Sequence, residues 1–278
     1  MLPASFVVLA FLVLPVGYVL LLSLNPSLKG DIELSSDLTL QNYGRLFLDS
    51  YYVDVLFRSV WIATITTLIS AVMGYLVAVS LWRAPKSLRS VLMIIVLAPL
   101  LISVVVRTYG WMVILGDRGV LNGALTALGV IERPLQIMFT RLALVIGLVH
   151  VFMPFMALSI LSSLERIDPA IPEAARTLGA GSFAVHRDVI IPLVIPGFAA
   201  GVTMVFSLSI SAYVIPILMG SSGADVVTTL IYQQFMVVFN WHFGAALTAF
   251  LLAASLSILA AVLYVSGRLT RPWLGAPR

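Results

Sequence analysis

RLALVIGLVHVFMPFMALSILSS, residues 141–163, carries no full charge after Arg141 and shows no polar–apolar alternation. An α-helix needs about 20 apolar residues to cross a hydrocarbon core about 30 Å thick, where every backbone N–H and C=O must be satisfied within the chain. A barrel strand would be about half as long and would alternate. Five further runs flank this one, at about 2–24, 59–82, 90–115, 192–219 and 243–266. They belong to a chain of 278 residues that is 61% hydrophobic and 10% charged, with too few polar side chains to cover a water-soluble surface. The expectation is an all-α, polytopic membrane protein with about six transmembrane helices, forming one transmembrane domain over residues 1–278.

The first run exceeds the apolar region of a signal peptide. It has neither a basic segment ahead of it nor a convincing small-residue cleavage site, so it reads as a retained helix. Asn25 to Asp54 is a polar connector with Asp31, Glu33, Asp37 and Asp49, and Arg83 to Arg89 is a tight basic turn around Pro85 and Lys86. Gly116 to Thr140 holds an apolar piece, 121–130, that is too brief to span. Leu164 to Ile191 is the richest polar loop, and Arg268, Arg271 and Arg278 mark a basic tail. With the amino terminus inside, the turn, the loop and the tail gather nine of the sixteen lysines and arginines. The opposite side keeps seven, spread over roughly twice the length and accompanied by most of the acids. Both termini are therefore expected on the cytoplasmic side. The net charge of +4 marks topology and not nucleic acid, because the arginines are scattered through short loops. Cysteine is absent, which excludes disulfides, thiolate metal sites and a cysteine nucleophile.

The loop has readable punctuation. Asp168 suits an N-cap, Pro169 the first helical position, and Gly179 the left-handed conformation past a helix end, so a helix of about ten residues is expected. Ser182 can cap a second short helix reaching about Val189, and Pro192 and Pro196 then bend the chain into the fifth run. A helix, a glycine turn and a helix at the membrane surface would present one compact knob.

Glu173-Ala174-Ala175, Gly179 four residues on, then Val189 and Ile191-Pro192 resemble the cytoplasmic signature of ABC importer permeases: EAA, three residues, G, nine residues, I, any residue, LP. Val189 stands for isoleucine and Ile191 for leucine, and both keep apolar bulk. Further stretches are similar to the spermidine/putrescine permease B branch: Leu38 to Tyr43 with Leu46-Phe47, Val106 to Trp111, Arg118 to Asn122, and Trp241 to Ala246. Permeases for iron, thiamine, opines and other small solutes share parts of these patterns. The resemblance implies a type I ABC importer permease-like fold in the bacterial cytoplasmic (inner) membrane. It implies that the loop docks into a cytoplasmic ATPase, with Glu173, Ala174, Ala175, Arg176, Gly179 and Pro192 as the coupling set. It also implies a second, homologous permease forming a heterodimer, an ATPase dimer, an extracytoplasmic solute-binding protein, and a polyamine cargo such as spermidine or putrescine. This chain would hold no cofactor of its own, with ATP and Mg bound by the ATPase; the 220–223 stretch lacks the lysine and hydroxyl residue of a phosphate-binding loop.

Polar residues within the runs admit two readings. Arg107, Tyr109, Trp111, Ser207, Ser211 and Tyr213 are candidates for the translocation path. Equally, Arg107 can anchor a helix end to headgroups or to Asp117, His150 can hydrogen-bond a neighbouring helix, and the serines at 207, 209 and 211 can glue helices together. Pro99, Pro154 and Pro216 are expected to kink their helices. An ion-driven secondary transporter would need membrane-buried carboxylates, and none falls within the six runs. A membrane-embedded enzyme would need a His-Glu-x-x-His, a Gly-x-Ser-x-Gly or a paired intramembrane aspartate, none of which is present. Labelling from either side of the membrane is expected to reach Arg176 from the cytoplasm only; access from outside alone would overturn the topology.

Overall fold

The computed structural model describes residues 2–26, 34, 37–220 and 225–270. Asp31 and Glu33 of the polar connector, residues 221–223, and Arg271 and Arg278 of the tail lie outside the described residues. In chain order the helices are α1 (Leu2–Ser23), α2 (Gln41–Leu48), α3 (Ser50–Arg83), α4 (Lys86–Leu101), α5 (Val104–Leu115), α6 (Val120–Ala127), α7 (Arg141–Leu164) and α8 (Ala170–Thr177). After these come α9 (Ser182–Ala184), a π-helical turn (Val185–Ile190), α10 (Ile191–Leu193), α11 (Ile195–Ile210), α12 (Val214–Met219), α13 (Val227–Met236) and α14 (Trp241–Thr270). No strand occurs among the described residues. The fold is all-helical, as expected.

Three helices, α3, α7 and α14, are each long and apolar enough to cross a membrane, and two bent pairs raise the number to five if each pair is one span. The first expected run corresponds to α1, 22 residues long. The second starts earlier than hydropathy suggests, at Ser50 instead of 59. Asp49 Oδ1 accepts the Tyr51 N–H at 2.9 Å and Arg58 pairs with Asp54 one turn on, so the helix forms before its apolar part begins. The third run, 90–115, is not one helix. It breaks at Ile102–Ser103, with a 100° bend between α4 and the chain from Val104 to Ala127. Pro99 withholds its N–H from the last turn of α4, and the Ile102 N–H closes back on the Pro99 carbonyl at 3.2 Å. Pro154 does not break its helix, since α7 runs unbroken through it. Pro216 lies in the first turn of α12, just beyond a break at residues 211–213, where a missing N–H costs little.

The described residues fall into two compact units, Met1–Trp61 with Ser222–Ser255 and Ile62–Ser221 with Leu256–Arg278. In the first, Leu46, Tyr52, Val55, Leu56, Val227, Leu230, Phe243 and Leu247 form the core. Arg45 stacks on the Phe243 ring at 4.7 Å and donates to the Tyr52 hydroxyl at 3.0 Å. The buried amide of Asn42 donates to the carbonyls of Ser23 (3.0 Å) and Asn25 (2.7 Å), closing the turn out of α1. In the second unit α7 is central: 67% of its apolar window is buried, against 17% for α14.

Helix association inside lipid draws on close van der Waals contact, because lipid tails are as apolar as side chains. Small residues supply that contact here. Gly197 and Gly201, a Gly-x-x-x-Gly pair on α11, face α7; a Cβ on Gly197 would lie 2.7 Å from the Ser159 carbonyl oxygen, and one on Gly201 2.5 Å from Met156 Sδ. Gly74 on α3 meets the same Met156 from another side. Gly197→Val must push backbone apart and is expected to destabilise by about 1–3 kcal/mol, measured as a lower Tm in detergent and less inserted protein. Gly17→Val, with nothing within 4 Å of its Cβ, should change neither.

Candidate functional site

The basic turn and the 164–191 loop meet at one end of the second unit. The Arg89 guanidinium donates to the Glu165 carboxylate, and Arg83 Nη2 lies 2.6 Å from His186 Nε2. Turn and loop therefore lie at the same end of this unit.

The loop folds as a knob. Asp168 Oδ1 accepts the Ala170 N–H at 2.9 Å, the bond an N-cap makes, and Pro169 is already in helical conformation although α8 proper begins at Ala170, one residue later than expected. Gly179 has φ +88°, the left-handed conformation expected of it. The Gly179 N–H bonds the Arg176 carbonyl (2.9 Å) and the Ala180 N–H bonds the Ala175 carbonyl (3.0 Å), ending the helix in the manner glycine permits. Nothing lies within 4 Å of where a Gly179 Cβ would be. Glu173, Ala174, Arg176 and Gly179 are exposed, and Ala175 is half-buried. Beside them Leu178 is 89% exposed and Phe183 76%, an apolar tip in which the Arg187 guanidinium lies 5.8 Å from the centre of the Phe183 ring.

Beyond the glycine the expected second helix differs in three ways. Gly181 holds the N-cap position and Ser182 makes no capping bond. The helix widens into a π-turn, where the Ile191 N–H reaches back to the His186 carbonyl. It continues past Val189 to Leu193, with Pro192 inside it, and a 68° bend at Val194 leads into α11. Of the apolar signature positions, Val189 is half-buried and Ile191 37% exposed. The fully buried residues are Val185, Ile190 and Val194, in a core with Ala78 and Leu81 of α3, Leu161 and Leu164 of α7, and Val205 of α11.

The path candidates divide into two groups. Arg107 and Trp111 sit one turn apart on α5, and Trp111 Nε1 donates to His150 Nδ1 of α7 at 3.0 Å. That lone pair on Nδ1 requires a neutral ring protonated at Nε2. Arg107 forms no ion pair with Asp117, and its buried Nε and Nη1 find no partner among the described residues. Tyr109 is exposed. Just past α11, Ser211 Oγ donates to the Ser207 carbonyl at 2.7 Å, and Ser207 lines a cavity of about 570 Å³ with Thr203 and, from α14, Leu259 and Leu263. Tyr213 opens α12, the helix that packs on α5 and α7.

The sequence family described as binding-protein-dependent transport system inner membrane component matches residues 70–271. The chain belongs to this family. It is 37% identical over 231 residues to the spermidine/putrescine transport system permease protein PotB of Escherichia coli K12, covering 83% of each chain. It is 34% identical over 211 residues to PotB of Haemophilus influenzae, covering 76% of this chain and 73% of that one. Among solved structures, a bacterial ABC transporter involved in import of the acidic polysaccharide alginate matches with a TM-score of 0.78 at 20% identity, over 97% of this chain and 94% of that one. The MetNI methionine ABC transporter matches at 0.55 and 20%, over 81% and 98%. At these identities the two structures speak for the fold.

This permease is thus a multi-pass inner-membrane transport subunit of an ABC importer and not an enzyme. Such a binding-protein-dependent system comprises a solute-binding protein, ATPase subunits and a paired permease. Several residues of its shared patterns have structural work. The buried Asn122 pins the connector ahead of α7, donating to the carbonyls of Gly116 (3.1 Å) and Leu135 (3.0 Å) and accepting the Leu135 N–H at 2.8 Å. Gly244 lets Phe235 approach, since a Cβ there would lie 2.8 Å from the ring. Sequence reasoning missed His186, Val185 and Ile190. A spacing of five between two apolar positions ahead of Pro192 was the available signal for the latter pair.

Proposed function

We propose that this permease forms half of the translocation path of a polyamine importer and is driven through the knob at 165–193 by an ATPase docked on it from the cytoplasm. The observation that carries the coupling role is the knob's build: a rigid glycine-ended helix with an apolar tip, Leu178 and Phe183, held to the bundle by wholly buried Val185 and Ile190. Glu173, Ala174, Ala175, Arg176 and Gly179 form the docking face and Pro192 the turn into the membrane. Both termini lie on the cytoplasmic side. ATP and Mg are bound by the ATPase dimer, and a homologous permease completes the path as a heterodimer.

Polyamine cargo is supported by 37% identity to a permease named for spermidine and putrescine. Tyr109, Trp111 and Tyr213, with Arg107, Ser207 and Ser211, are the path residues of this half. The aromatics offer faces that attract cations, and the carboxylates a polycation also needs come from the partner permease. In proteoliposomes holding the complete complex, labelled spermidine is expected to accumulate only with ATP and the solute-binding protein. ATP-driven uptake of another solute without spermidine would reassign the cargo. Gly179→Trp and Glu173→Lys are expected to leave the permease inserted while hydrolysis no longer drives uptake. Unchanged transport in either would mean that the knob is not the coupling element.

A further inference from the structure

His186 stands in the π-turn between the knob helix and the membrane, and both of its ring nitrogens are engaged by α3. Its Nδ1 is 2.6 Å from the Tyr75 hydroxyl and its Nε2 is 2.6 Å from Arg83 Nη2. A guanidinium can only donate, so Nε2 must be the acceptor. The ring is then neutral with its proton on Nδ1, and the Tyr75 oxygen accepts that proton's hydrogen bond. Tyr75 also stacks on Phe198 of α11, with centroids 5.7 Å apart, and meets the His186 ring edge-on at 6.0 Å. Arg83 is the last residue of α3, two turns beyond Tyr75. One imidazole therefore joins two points of α3 to the segment that follows the knob. The contact is polar and directional, unlike the apolar anchors Val185 and Ile190 on either side of it.

We propose that Tyr75, His186 and Arg83 form a positioning link that carries displacement of the knob into α3, so that α3 moves with the ATPase. This rests on the knob being the ATPase-docking element. Apolar contacts alone can slide; two hydrogen bonds to one rigid ring fix the register between the π-turn and α3. His186→Leu removes both bonds and keeps apolar bulk. His186→Gln keeps an acceptor for Arg83 and a donor for Tyr75 on one planar amide.

The test uses the complete complex in proteoliposomes, with uptake per ATP hydrolysed as the readout and membrane level as the control. His186→Leu is expected to lower that ratio about fivefold while hydrolysis continues, and His186→Gln to retain most of it. Arg83→Met, a change at an exposed residue, is expected to act like His186→Leu and to add nothing to it in the double variant. It also serves if His186→Leu inserts poorly. The proposal fails if both single apolar variants couple normally, if His186→Gln loses as much as His186→Leu, or if the losses multiply in the double variant. Gly179→Trp separates the two readings. If it uncouples transport while His186→Leu does not, only the link is wrong; if it too couples normally, the knob reading has failed first.

Discussion

Burial of Val185 and Ile190 in the core shared by α3, α7 and α11 is the constraint on which the rest of this permease depends. The segment lies at the end of the bundle where the polar loop emerges, so leaving that core would return two large side chains toward water. Each such transfer costs about 1.5–3 kcal/mol. A knob held this way cannot swing on its own. Force applied to α8 is passed to the bundle, and within the bundle to α7 and α11, where Gly197 and Gly201 of α11 lie close against Met156, Ser159 and Ser163 of α7. Exposed Leu178 and Phe183 then offer a partner apolar surface on a body that resists deformation.

The membrane segments were legible in the sequence because lipid imposes a requirement on composition, and composition can be counted. Helix ends and breaks were less legible. Hydropathy marks where lipid begins, which is why the first turns of α3, polar and stabilised by Asp49 and the Asp54–Arg58 pair, went unseen. Proline identity was not enough either. Pro154 is buried in the most enclosed helix and α7 continues through it, whereas Pro99 stands near the end of α4, where the chain has room to turn. The Asp168 cap and Gly179 were legible because each rests on local chemistry, whereas the Ser182 cap did not form. Which apolar residues anchor the knob was not, because the signature was read in α-helical register. The π-turn spaces the buried positions as Val185, Ile190 and Val194, and leaves Arg187, Asp188 and Ile191 between them exposed.

The patterns shared with polyamine permeases need the same care. Asn42 and Asn122 clamp turns, Gly244 admits a ring, and Trp111 satisfies His150. Each of these contacts is made within the chain and holds its fold together. Their resemblance therefore speaks to how the chain folds, while cargo selection must lie in side chains that face the path and are free of such duties. Tyr109 meets that description better than Trp111, whose N–H is committed.

The route of motion follows from the backbone between knob and α11. Pro192 has no N–H to give Asp188, and Pro196 none to give Pro192, so a regular α-helix through this segment would lack two successive supports on one face. The chain answers with the π-turn and with a break at Val194, whose N–H is shared between the carbonyls of Ile190 (3.1 Å) and Ile191 (3.2 Å). Along the chain, then, the connection from knob to α11 is its least regular part. Across the chain it is well supported, by buried side chains against α7 and by His186 against Tyr75 and Arg83 of α3. A push on the knob is accordingly carried sideways into α3 and α7 before it travels along the backbone into α11, and the bend at Val194 is where the two movements can differ.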